Sequence, residues 1–394
     1  MADRDYDIVV FGATGFTGGL TAEYLARNAP ADLRWAIAGR SQAKLAFVRD
    51  KLAAINPACT RLGLLVADAD DAESLRAVAE STRVIITTVG PYLRYGEPLV
   101  AACASAGTDY VDLCGEPEFY HRMYLRYHAL AQRSGARIVH ACGFDSIPAD
   151  LGAYFTVRQL PSDRPITVES YLRISGTPSG GTLASALTAF SRGRQNFQAA
   201  RDRHRAEPEL IGRRVHAPLG RPGYNAEQSA WVVPLPVLDP QIVAASAAAS
   251  ERYGPDFTYQ QFLALRQVTS MVGLGVGVVG LLGAAQIPPL RNWISDRVKP
   301  GEGPNAAKRA KSWFRLRFVG RSGDARVVTE VSGGDPGYDE SAKMLAESAL
   351  CLAVDELPKT SGQVTTATAM GDALITRLSA AGITFTTLST DQSE

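Results

Sequence analysis

What this sequence lacks narrows its function first. It has almost no net charge: 41 Lys and Arg stand against 40 Asp and Glu, leaving +1 across 394 residues. No global field of that size recruits nucleic acid or an anionic membrane. Arginine far outnumbers lysine, which reads as genome composition rather than a binding patch. Cysteine is scarce. Cys59, Cys103, Cys114, Cys142 and Cys351 are odd in number and contain no Cys-x-x-Cys. That argues against a zinc site or a disulfide framework and suits reduced thiols in the cytoplasm. A secretory leader is not expected, because residues 1–7 are largely polar and the first apolar run, Ile8–Phe11, is short. Repeats and low-complexity segments are missing as well. What remains is 46% hydrophobic and 21% charged, an ordinary globular composition long enough for two domains.

The chain is organised around Asp7–Gly18. Ile8–Phe11 reads as a buried strand, glycines follow at Gly12, Gly15 and Gly18, and a helix with Leu20, Tyr24 and Leu25 on one face comes next. Strand, glycine turn and helix in that order make a dinucleotide fingerprint. Gly12 permits the sharp turn, Gly15 a close approach to pyrophosphate at the helix N-terminus, and Gly18 tight packing of helix on strand. Ala13, Thr14, Phe16 and Thr17 complete the loop. The alternative is an ordinary tight turn.

A second absence concerns the cofactor. NAD-specific folds place an acid at the end of strand two, predicted here over Leu33–Gly39. This chain has Arg40 and Ser41 instead, with Lys44 one helical turn on. A guanidinium fork suits a ribose 2′-phosphate, so NADP(H) is expected. Otherwise Arg40 is a solvated side chain at a helix start, where the dipole disfavours a cation.

Strand three, Leu64–Ala67, ends in Asp68, which suits an adenine contact or a helix N-cap. Strand four, Val84–Val89, runs into Gly90, Pro91 and Tyr92 at the expected topological switch, so Val89, Gly90 and Pro91 line the nicotinamide side. Tyr92 and Tyr95 then adjoin the reacting ring, or are surface tyrosines of a proline-stiffened turn. Strands five, Tyr110–Leu113, and six, Arg137–Ala141, are followed by Glu116 and Asp145. Either acid lies at the active-site edge or serves as a loop carboxylate or cap.

After Pro148 the pattern changes. Ile166–Ile174, Ser312–Val319 and Ala325–Ser332 alternate like strands of an antiparallel sheet. Ser179, Gly180 and Thr182 lie in a glycine-rich loop before a predicted helix, Leu183–Phe190, and form a second anion site or a simple N-cap. Residues 192–225 read as an irregular loop. Its cluster Arg201, Arg203, His204 and Arg205 docks an acidic carrier protein or is a solvated face. The stretch 268–287 has no charge and five glycines. A bilayer span there would separate strands that must share a sheet, so it is rejected. A shallow lipid contact, a lipid-lined wall or a core helix remain. The expected domains are 1–150, 151–335 and a C-terminal part, 336–394, returning to the first domain through a helix at about 338–356. The fold class is α/β: a Rossmann doubly wound parallel sheet with a second, mixed α+β domain containing an antiparallel sheet.

Taken together, Gly12–Gly18, Ala38–Arg40, Val89–Tyr92, Tyr110–Glu116, Cys142–Pro148, Ser179–Thr182 and Gly334–Tyr338 resemble the saccharopine dehydrogenase-like oxidoreductases. The closer likeness is to the branch of trans-acting enoyl reductases of long-chain polyketide lipid biosynthesis. The resemblance spans nearly the whole chain. It implies NADPH-dependent reduction of a carbon–carbon double bond in a carrier- or thioester-bound acyl chain. It also implies a polyketide synthase acyl carrier domain as partner, and leaves a homodimer open. Saccharopine-type imine reduction and a non-catalytic NADP(H)-binding, lipid-associated protein are the alternatives. Tyr92 is the first expected proton donor, with Tyr95 and Asp145 behind it, and no metal is expected. The location is cytoplasmic, with peripheral membrane contact through 268–287 as the variant.

Overall fold

A computed structural model describes residues 4–175, 191–269 and 305–391. Ser179, Gly180, Thr182, the helix expected at 183–190 and nearly all of 268–287 lie outside those residues.

The first sheet has seven parallel strands: β1 (Tyr6–Phe11), β2 (Trp35–Gly39), β3 (Gly63–Val66), β4 (Thr82–Thr87), β5 (Asp109–Asp112), β6 (Arg137–Val139) and β14 (Gly362–Val364). Their order is β14-β6-β5-β4-β1-β2-β3. The chain leaves β1 for β2 and β3 on one side, then returns to place β4 on the other. That reversal opens a crevice at the strand C-termini. Burial on both faces explains the continuous apolar runs. Ile8 and Val10 pack with Leu25, Met344 and Leu345 on one face, whereas Val9 and Phe11 pack with Leu75, Val100 and Phe119 on the other.

The second sheet follows the path β15-β13-β12-β7-β11-β10-β9. Its strands are β7 (Ile166–Ser175), β8 (Arg214–His216), β9 (Gly223–Asn225), β10 (Ala230–Pro234), β11 (Asp256–Leu265), β12 (Trp313–Ser322), β13 (Ala325–Gly333) and β15 (Thr384–Asp391). It is mixed: β11 runs parallel to β7 and β8, and the other pairs are antiparallel. The helix Ile147–Val157 lies on it so closely that a Cβ at Gly152 would meet Phe318 at 2.2 Å. Val168, Phe257, Phe318 and Val331 share one core with Ile8 and Val10, which fuses the two sheets.

Two expectations change here. Residues 192–225 are not irregular throughout: they contain the helix Gly193–Ala206 and the strands β8 and β9. Arg203 is buried, with its guanidinium 4.4 Å from the Tyr120 ring and 4.2 Å from the Tyr124 ring and bonded to Glu207. It is therefore a packing group rather than part of a docking face. The C-terminal stretch also divides. The helix Asp339–Val354 and β14 join the first sheet, but β15 pairs with β13 of the second.

Candidate active site at the C-terminal edge of the parallel sheet

The glycine loop is built by close approaches. Gly12 has φ +90°, and a Cβ there would lie 2.8 Å from Val89 Cγ2. A Cβ on Gly18 would stand 2.2 Å from the Gly12 carbonyl oxygen. Gly15 is the N-cap of the helix Phe16–Asn28, and no side chain caps it. Thr14 and Gly15 are exposed, Phe16 and Thr17 half-buried, and Ala13 buried. No side-chain cap occupies this N-terminus. An uncapped N-terminus with glycine backbone around it is a cradle for a pyrophosphate.

At the end of β2, Arg40 is exposed and no acid accompanies it. Ser41 caps the next helix, Gln42–Ile55, by accepting from the Lys44 amide at 3.4 Å, and Lys44 is exposed. Asp68 is half-buried after β3 and accepts from the Asp70 amide at 3.1 Å. It is not the N-cap of the helix Ala72–Ser81; Asp71 is, accepting from the Glu73 amide. An exposed guanidinium with no acid beside it is chemically compatible with a ribose 2′-phosphate.

β4 stops at Thr87, so Val89, Gly90 and Pro91 form a loop before the short helix Tyr92–Tyr95. Glu116 holds that loop. Its carboxylate is 2% exposed and accepts from the amides of Tyr92 at 2.9 Å and Leu93 at 3.0 Å. Both oxygens are thus engaged with the protein, and its side chain is a positioning group rather than a cofactor contact. Tyr92 is also turned inward. Its hydroxyl donates to the Thr87 carbonyl at 3.2 Å and accepts from the Leu113 amide at 3.1 Å. Burial pushes that phenol well above its ordinary value, and Asp112 adds to the effect. The expectation that Tyr92 donates the proton gives way to a structural role. Tyr95 is half-buried, with the Arg94 guanidinium 4.9 Å from its ring.

The ends of β5 and β6 are joined through Asp112, which is fully buried. It accepts from the Cys114 and Ala141 amides at 2.9 Å each, from the Tyr110 hydroxyl at 2.9 Å, and lies 2.7 Å from His140 Nδ1. Ala141 has φ +59°, a left-handed conformation costly for a residue with a Cβ, and these bonds fix it. The chain then delivers Asp145 to the edge, facing Gly115 of the neighbouring loop. Asp145 is half-buried with no hydrogen-bond partner among the described residues. Burial raises its carboxyl to about 6.

The comparisons with known proteins agree with this geometry. Residues 8–139 match the saccharopine dehydrogenase NADP binding domain. A Mycobacterium tuberculosis protein, provisionally named a trans-acting enoyl reductase, is 40% identical, covering 98% of both chains. A trans-acting enoyl reductase of Mycobacterium bovis is 37% identical over 97% of both. The chain belongs to the trans-acting enoyl reductase family, within the saccharopine dehydrogenase-like oxidoreductases. This chain shares its fold with the L-Glu-forming saccharopine dehydrogenase of Saccharomyces cerevisiae. That enzyme superposes with a TM-score of 0.55 at 11% identity, covering 98% of this chain and all of that one. The cofactor of this trans-acting enoyl reductase family member is NADP(H), through the matched domain.

Sequence reasoning missed two acids near the site. Asp112 lies inside a strand, and nothing in its neighbours marks it as the junction of two strands. Asp239 opens the helix Asp239–Ala249 and is 8% exposed. Its Asp-Pro step marks a helix start, but nothing local shows that its buried carboxylate meets Ser146 and Gln261.

Proposed function

We propose that the protein reduces the carbon–carbon double bond of an acyl thioester, working in trans on a chain carried by a polyketide synthase. NADPH, when bound, supplies the hydride that adds to the β-carbon. The chain's own residues bind, orient and protonate. The amides at the start of Phe16–Asn28 hold the pyrophosphate, and Arg40 and Lys44 hold the 2′-phosphate. Glu116 fixes the Gly90–Pro91 turn beside the nicotinamide position. Asp145 gives its proton to the α-carbon, because among the described residues its carboxyl has no hydrogen-bond partner and burial keeps a neutral fraction near pH 7. The names of the relatives support the substrate class. The uncharged composition of 268–287 supports an acyl chain over a polar amino acid, and Ser179, Gly180 and Thr182 are candidates for the thioester or carrier phosphate.

The observation that carries this reading is the joint presence, at one sheet edge, of an uncapped glycine-loop helix and a half-buried carboxyl with no hydrogen-bond partner among the described residues. Purified protein is expected to oxidise NADPH with an α,β-unsaturated acyl thioester of N-acetylcysteamine and to release the saturated product. Turnover with lysine and an α-keto acid instead would replace the proposal with imine reduction.

A further inference from the structure

The helix Gly193–Ala206 carries a face that the packing of the protein leaves unused. Its inner side is Ala199 and Arg203, and Arg203 lies on the tyrosines of the helix Pro117–Ser134. At about 100° per residue, the opposite side gathers Arg194, Phe197, Gln198, Arg201, His204 and Arg205 onto one arc of about 120°. All six are exposed, Phe197 to 70%. No acid lies on that arc. The one acid of the helix, Asp202, sits beside it, 3.6 Å from Arg205. Arg194 and Arg201 have no ion-pair or hydrogen-bond partner among the described residues. An exposed phenyl ring among uncompensated guanidinium groups is the composition of a protein interface, where aromatics and Arg are enriched.

The face begins at the rim of the site. Arg192, the residue before the helix, donates to the fully buried Glu118 through Nε at 2.6 Å and Nη2 at 2.8 Å. Glu118 lies two residues beyond Glu116, whose carboxylate holds the turn after β4. From that edge the cationic arc follows the helix Pro117–Ser134 for about 16 Å, the rise from Arg194 to Arg205.

We propose that this face docks the protein that carries the acyl chain, an acyl carrier domain presenting an acidic helix. Carboxylates of that helix meet Arg194, Arg201 and Arg205, and an apolar side chain covers Phe197. The inference rests on the proposed function, since it needs a substrate delivered in trans. Charge complementarity selects the partner. The whole chain carries only +1, so attraction of an acidic protein has to be local, and an acid-free row of guanidinium groups supplies it. A row one helix wide suits another helix. Asp202, Glu207 and Glu209 flank it, which disfavours a flat anionic membrane. Docking there sets the carrier beside the edge at which its thioester has to enter.

Kinetics with two substrates test this. Wild-type protein is compared with Arg194→Glu/Arg201→Glu, using NADPH and a crotonyl group carried either on an isolated acyl carrier domain of a polyketide synthase or on N-acetylcysteamine. The double variant is expected to raise KM for the carrier-bound substrate at least tenfold and to keep kcat/KM for the N-acetylcysteamine thioester within twofold. Phe197→Ser is expected to impair the carrier-bound substrate alone. Lysines in place of the acids on the carrier helix are expected to restore the double variant. An equal effect on both substrates, or none on either, overturns the docking face and leaves the enoyl reading standing. Loss of binding to phosphatidylglycerol vesicles in the double variant, with carrier-bound turnover unmoved, overturns it in favour of a membrane contact. Failure of the wild type to reduce either thioester overturns the enoyl reading, and the docking inference with it.

Discussion

At Gly18 the constraint is steric and local. Alanine there would place a methyl group against a backbone oxygen that no rotamer can move, so Gly18→Ala is expected to cost about 2 kcal/mol or more in urea unfolding and to abolish saturable NADPH binding. Arg40 is the opposite case, an exposed side chain that the proposed function assigns to the 2′-phosphate. Losing one charge-assisted hydrogen bond to phosphate costs about 1.5–3 kcal/mol. Arg40→Ala is therefore expected to weaken NADPH roughly tenfold to a hundredfold in a fluorescence titration and to leave NADH unchanged. Equal weakening of both dinucleotides would remove Arg40 from the 2′-phosphate site. These roles are readable in sequence because a turn glycine and a missing acid need only their immediate neighbours.

Between elements, hydrogen bonds decide placement. Glu116, from the loop after β5, caps the turn after β4, so Glu116→Ala would strand two buried amides. A loss of about 2 kcal/mol is expected, with a smaller loss for Glu116→Gln, which keeps an acceptor. His121 joins the helix Pro117–Ser134 to the helix Asp239–Ala249 through Gln241. Burial, aided by the Arg203 charge, lowers its imidazole to about 4 from an ordinary 6.5. The unfolded chain binds the proton first as pH falls, so the folded state loses stability from about pH 6.5 down to about pH 4. His121→Gln is expected to remove up to about 3 kcal/mol of that loss, measured by denaturant unfolding at pH 7 and at pH 4.5. An unchanged acid sensitivity would show that His121 does not set it.

On the scale of the molecule, the first domain is not closed by its first 150 residues. The helix Asp339–Val354 is buried along nearly its whole length, Tyr24 donates to Glu347 at 2.7 Å, and β14 pairs beside β6. A fragment ending at residue 160 is expected to be insoluble or partly folded, and not to bind NADPH. In the full chain, NADPH at a hundred times its Kd is expected to add about 2.7 kcal/mol to stability, seen as a rise in Tm that NADH does not match. Among the described residues no helix is long and apolar enough to cross a membrane.

Much of the parallel sheet was legible because each strand, glycine turn and helix is a local pattern, as in Ile8–Phe11 with Gly12, Gly15 and Gly18, and in the second sheet the alternation of Ile166–Ile174 marked β7 in the same way. Strand ends shifted by one or two residues, as at Thr87, where pairing rather than hydrophobicity sets the limit. The helix Gly193–Ala206 was hidden because its polar sequence is stabilised by Arg203 lying on tyrosines far away in the chain. By itself the sequence determined the nucleotide loop, the absence of an acid after β2 and the alternation of strands and helices up to β6. Only the tertiary structure decided that the Tyr92 hydroxyl turns inward, that Glu116 caps a neighbouring loop and that Asp239 is held by Gln261. The reason is physical: backbone geometry is dictated by near neighbours, whereas a side chain's protonation and partners depend on groups that folding brings together.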